Sequence, residues 1–97
     1  MNIHYSKAEL TDLLGRLNWD TTLSKDDFAE LLLSDRPEIK GFRKVNLYIK
    51  ILNFYRWHEV RKIVPAEKHA ELLSEEVIKG VFPRDLREKY RYVRSLL

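Results

Sequence analysis

Between Gly41 and Val64 the chain reads GFRKVNLYIKILNFYRWHEVRKIV, with no proline and no internal glycine. Apolar residues stand at Val45, Tyr48, Ile49, Leu52, Tyr55, Val60 and Ile63, mostly three or four apart, the repeat of a helix with a buried face. Leu47, Ile51 and Phe54 lie beside that stripe and widen it, so the pattern predicts a long central helix with neighbours on two sides. The remaining positions, Arg43, Asn46, Lys50, Asn53, Trp57 and Arg61, fall three or four apart and make one polar ridge.

Shorter helical patterns flank this stretch. Ser6 with Glu9 spells a capping box, Leu10, Leu13 and Leu14 give an apolar side, and Gly15 is placed to end the helix. Leu17 to Thr22 is a turn-rich connector that carries Trp19, suited either to plugging the core or to anchoring a partner. Ser24, Asp26 and Asp27 start a second helix with Phe28, Leu31 and Leu32 inward, and Ser34-Asp35-Arg36-Pro37 stops it.

Pro65 ends the central helix and opens another to Leu73, with Ala66, Ala70, Leu72 and Leu73 as packing residues. Ser74 caps a brief turn that Gly80 closes. Pro83 opens the last helix, with Leu86, Tyr90, Val93 and Leu97 inward. No segment alternates strictly enough to require a strand. The expectation is an all-α fold, a compact bundle of five or six helices around a long central helix, in a single domain spanning residues 1–97.

Composition narrows the function more than it specifies it. The 97 residues are 44% hydrophobic and 34% charged, which suits a folded domain. Cysteine is absent, which excludes disulfides, thiolate zinc sites and cysteine nucleophiles. The N-terminus lacks a basic region followed by an apolar segment, and no run is long and apolar enough to span a membrane. A cytoplasmic protein without membrane contact is expected.

Charge is uneven along the chain. Residues 1–39 hold four basic and eight acidic side chains, whereas residues 40–62 hold seven basic and one acidic. The basic part is either a binding surface or is neutralised by the acidic N-terminal third folding back on it.

Catalytic and metal chemistry find no anchor. His58 and His69 have no second ligand at helical spacing, and His4 precedes the first helix. The serines and paired carboxylates are accounted for as caps, and no glycine-rich phosphate loop or nucleophile motif occurs. The expectation is a protein that is not an enzyme, with no catalytic residue, no metal and no cofactor.

Two basic ridges remain. Arg84, Arg87, Arg91 and Arg94 recur at three, four and three along the last helix, and guanidinium groups grip carboxylates or phosphates in pairs of hydrogen bonds. Together with Trp19 they are the candidate partner-binding residues. Arg43, Asn46, Lys50, Asn53, Trp57 and Arg61 are the candidate nucleic-acid contacts.

The run LNWD, the run YRWHEVRKIVPAEKHAELLSEEVIK and the run PRDLREKYRYVRSLL together resemble small helical bacterial proteins encoded beside nucleotidyltransferase-type abortive-infection toxins. Trp19 and Asp20, Trp57 and His58, and Arg87, Tyr90 and Arg94 match that pattern. The resemblance implies an antitoxin or accessory role, with a protein partner, a toxin among the candidates, or operator DNA. The leading expectation is a non-enzymatic interaction module, and the alternative is a helical nucleic-acid-binding domain.

Overall fold

The computed structural model describes residues 6–17 and 23–97. Trp19 and Asp20 of the connector, and His4, lie outside the described residues. The fold is all-α with one tiny hairpin. Helix α1 (Lys7–Gly15) and helix α2 (Lys25–Leu33) pack against each other. Both start on complete capping boxes, Ser6 with Glu9 and Ser24 with Asp27. Gly15 does not act as a left-handed cap. It is the last residue of α1, and a Cβ there would lie 3.1 Å from Lys25 Cβ at the start of α2.

After α2 the chain forms strands β1 (Glu38–Ile39) and β2 (Phe42–Arg43), paired antiparallel with Ile39 opposite Phe42. Strand pairing was not expected from the pattern. The cause is local: Lys40 and Gly41 have φ of 51° and 83°, the positive values that a two-residue hairpin loop of the I′ class needs. Phe42 sets its ring edge-on to Phe28 at 5.5 Å and ties the hairpin to α2.

The predicted central helix is two helices, α3 (Lys44–Phe54) and α4 (Trp57–Ile63). Tyr55 turns to extended backbone, φ −107° and ψ 151°, and its hydroxyl donates to the Leu13 carbonyl oxygen of α1 at 2.7 Å. The break buries Tyr55 and leaves Phe54 exposed. Arg56 N–H donates to Glu59 Oε1 at 3.4 Å, giving α4 half of a capping box.

The Pro65–Leu73 stretch is a 3-10 turn (Ala66–Lys68) followed by α5 (His69–Leu72). Leu72 and Leu73 are buried, but Ala66 and Ala70 are exposed, because the tighter turn shifts the face that the spacing had assigned to them. Helix α6 (Glu75–Ile78) follows, without a side-chain cap from Ser74, and α7 (Arg84–Ser95) closes the chain. α6 packs on α3 so closely that a Cβ on Gly80 would meet Ile49 Cδ1 at 2.4 Å.

One buried cluster links the elements: Leu10 and Leu14 of α1, Phe28, Leu31 and Leu32 of α2, Leu47, Tyr48, Ile51 and Leu52 of α3, Val60 and Ile63 of α4. Leu72, Leu73, Val77, Ile78, Val81 and Tyr90 complete it from the C-terminal half. Each full burial of a Leu or Ile side chain contributes about 1.5–3 kcal/mol. Among the described residues no helix is long and apolar enough to cross a membrane.

Candidate functional site

The polar ridge of the central stretch does not survive as a line. Asn46, Lys50 and Asn53 lie on α3 and Arg43 just before its start, but the break at Tyr55 puts Trp57 and Arg61 on another helix. Arg43 Nη2 donates to Glu76 Oε1 at 2.9 Å, and Asn53 Oδ1 accepts from the Phe82 backbone N–H at 3.0 Å. Both ends of the strip are thus turned to α6 and to the connector before α7. Asn46 is exposed and Lys50 half-buried.

Trp57 is half-buried, its ring 5.6 Å from His69 and 6.0 Å from Tyr90. His69 is itself fixed, since Nε2 donates to the Val64 carbonyl oxygen at 2.8 Å. This aromatic cluster joins α4, α5 and α7. Of the six candidate nucleic-acid contacts only Arg61, with Asn46, is exposed and takes no part in these contacts.

Some of the basic stretch is neutralised by the acidic N-terminal third: Lys40 pairs with Asp27 at 3.1 Å. Arg43 is not, since its carboxylate comes from α6.

The arginine ridge of α7 is likewise divided. Arg91 donates from Nη2 at 2.7 Å and Nε at 3.0 Å to Glu75 Oε1, and Arg94 Nη1 donates to Glu75 Oε2 at 2.8 Å. These bonds, Arg91 first, hold the Glu75 carboxyl below its ordinary range. Arg91 also reaches Glu88 at 3.4 Å. Arg87 is half-buried, with Nε out of solvent and without a hydrogen-bond partner among the described residues. Arg84, at the start of α7, is exposed. Glu75 and Glu76, read from sequence as helix-start charges, are therefore the acidic partners of arginines on two other elements.

A second polar group lies inside the fold. Lys44 is buried and its ammonium donates to the Ser34 carbonyl oxygen, which Lys68 Nζ also reaches at 3.3 Å. Tyr48 donates to Glu71 Oε2 at 3.3 Å beside them. The two ammonium groups satisfy the carbonyl end of α2, a structural use of charge at a helix C-terminus. Among the described residues no three metal-ligating side chains converge.

The most exposed large apolar side chains lie on α7 and at its two ends. Phe82 is 75% exposed, Tyr92 66%, Leu96 67% and Leu97 65%. Leu97 was expected inward. It follows the end of α7 at Ser95, so the helical spacing no longer fixes its direction. Within α7, Asp85, Lys89 and Tyr92 recur at four and three and are all exposed. No protein-family model, curated protein or solved structure matches the chain.

Proposed function

We propose that this chain is a non-enzymatic protein-interaction module that receives its partner on the outer strip of α7. The observation that carries the reading is the contrast on that helix. Arg91 and Arg94 are engaged by Glu75, while Tyr92 on the helix, Leu96 at its end and Phe82 before its start stand in solvent. Exposed aromatic and leucine side chains along one helix and at its ends are the ordinary makings of a protein contact. The resemblance to companions of nucleotidyltransferase-type toxins makes such a toxin the first protein to try.

Direct nucleic-acid binding has less support. It needs a row of cations free to meet phosphates, and the break at Tyr55 together with the Arg43–Glu76 and Asn53–Phe82 contacts removes that row. The test immobilises the chain and a Tyr92→Glu/Leu96→Glu variant, and challenges each with proteins of the source cell and with mixed-sequence duplex DNA and single-stranded RNA at low salt. Protein retained by the first and lost by the second is expected. Retention of DNA or RNA that falls steeply with salt, unaffected by the variant, overturns the reading.

A further inference from the structure

We infer that the corner where the end of α3 meets the connector before α7 receives an acidic segment of a partner protein, its apolar side chains set against Phe54 and Phe82 and its carboxylates on the cations around them. The inference rests on the protein-interaction reading above and names the chemistry of the partner.

Three contacts build the corner. α6 and the connector after it run along α3: Glu76 meets Arg43, Gly80 lies against Ile49, and the Phe82 N–H donates to Asn53 Oδ1 at 3.0 Å. The last of these holds the Cα atoms of Asn53 and Phe82 within about 8 Å, and so those of Phe54 and Phe82 within about 12 Å. Phe54 is 54% exposed and Phe82 75%, so folding brings two phenylalanines from distant parts of the chain to one corner and leaves both in solvent. Apolar surface left wet at neighbouring positions favours a contact that covers it.

The charge around the pair says what that contact is. Lys79 lies three residues before Phe82, Arg84 two after it, and Arg56 two after Phe54. All three are exposed, and none is in an ion pair among the described residues. They differ in this from Arg43, Arg91 and Arg94, whose charges are answered by Glu76 and Glu75. Unanswered cations beside exposed rings suit a ligand that is acidic as well as apolar. Two acids border the corner: Glu59 accepts from the Arg56 N–H, and Asp85 stands in the first turn of α7. Asp85 disfavours a nucleic-acid strand, which is charged at every residue, whereas a peptide carries carboxylates only where its side chains put them. In an extended segment alternate side chains share one side about 7 Å apart. Apolar residues two or four apart therefore meet the rings, and acidic residues on either flank meet Lys79 and Arg84.

The test titrates the full chain, at low salt, into a fluorescein-labelled synthetic peptide in which two leucines separated by one serine are flanked on each side by glutamates. Fluorescence anisotropy should report binding. Lys79→Glu/Arg84→Glu weakens it roughly tenfold or more, and Phe54→Ser/Phe82→Ser does the same. Both variants change exposed side chains, and far-ultraviolet circular dichroism like that of the parent verifies their folding. On the parent chain, peptides with lysine for glutamate or serine for leucine do not bind. The inference is overturned if the peptide does not bind, if binding is indifferent to either variant, or if single-stranded RNA or phosphatidylserine vesicles are retained through the same residues. If the peptide fails while Tyr92→Glu/Leu96→Glu still loses a captured protein, the corner is discarded and the α7 reading stands. If the peptide binds through the corner and that variant loses nothing, the corner stands and the α7 strip is discarded.

Discussion

Arg91 brings two guanidinium nitrogens, Nη2 at 2.7 Å and Nε at 3.0 Å, to a single carboxylate oxygen of Glu75. Arg94 takes the other oxygen at 2.8 Å. The four-residue helix α6 is thereby clamped to the last helix, so the most conspicuous basic pattern in the chain is in half its members an internal joint.

Glu75→Gln tests that joint. The Glu75 carboxyl is held below its ordinary value of 4.5 by Arg91 and Arg94, so its contribution to stability is present above that value and is lost as pH falls through the lowered one. The variant should melt a few degrees at most below the parent near neutral pH, since exposed ion pairs are screened and individually weak. The two melting temperatures should converge in acid. A gap that persists after the parent carboxyl is protonated would assign the loss to packing instead.

Gly80→Ala probes the seam between α6 and α3. The added methyl would lie 2.4 Å from Ile49 Cδ1 and 3.1 Å from Cγ1, so the isoleucine must move or the seam must open. A cost of about 1–3 kcal/mol is expected in urea unfolding. Ile49→Val removes the atom in nearest conflict. The double variant should therefore be more stable than the sum of the two single losses allows, and strict additivity would locate the strain elsewhere.

How much of this was legible from residues alone depends on whether the cause was local. Ser6 with Glu9 and Ser24 with Asp27 act within four residues: the first box forms as read, and at the second the cap read from Ser24 forms with Asp27 closing a box as well. The break after Phe54 has no proline or glycine to announce it. It is made by Tyr55, whose hydroxyl reaches a carbonyl forty-two residues earlier in the chain, a contact that exists only once α1 is docked. The hairpin lay between these cases: Gly41 was visible, but Lys40 must also adopt positive φ, which a lysine does not signal. At the candidate site the arginine spacing was plain, while the carboxylate that satisfies it sits on a different helix. Periodicity identifies faces; only packing decides which face stays open.

Trp57 separates the two functional readings in another way. Its ring is wedged 5.6 Å from His69 and 6.0 Å from Tyr90, so it serves the junction of α4, α5 and α7. Trp57→Ala should cost about 2–4 kcal/mol in chemical denaturation, less than a fully buried tryptophan because the ring is half in solvent. Trp57→Phe should recover much of the loss. A Trp57→Ala chain of unchanged stability that had lost an affinity for single-stranded nucleic acid would reverse the assignment.

Lys44 makes the last prediction, and its sign is the informative part. The side chain is buried with its ammonium on the Ser34 carbonyl oxygen. Burial first, and then the Lys68 charge, hold its pKa below the ordinary 10.5 against the opposing pull of Glu71 and Asp35. The unfolded chain therefore binds this proton more tightly than the folded one, and folding gains stability from this group as pH rises towards 10.5. Tyr48 and Tyr90 act oppositely. Burial raises both phenols above the ordinary 10.0, so their contribution is complete below that value and is lost as pH rises past it. Lys44→Met keeps the apolar stem, removes the charge and leaves the Ser34 carbonyl to Lys68. Near neutral pH the variant should lie within about 2 kcal/mol of the parent, because the lost hydrogen bond is offset by the charge no longer buried. From the lowered pKa up to 10.5 it should lose ground, since only the parent gains from releasing the proton, whereas both proteins share the two tyrosines. Urea unfolding at a series of pH values measures the difference directly. A constant difference across that range would show that Lys44 keeps an ordinary proton affinity inside the fold.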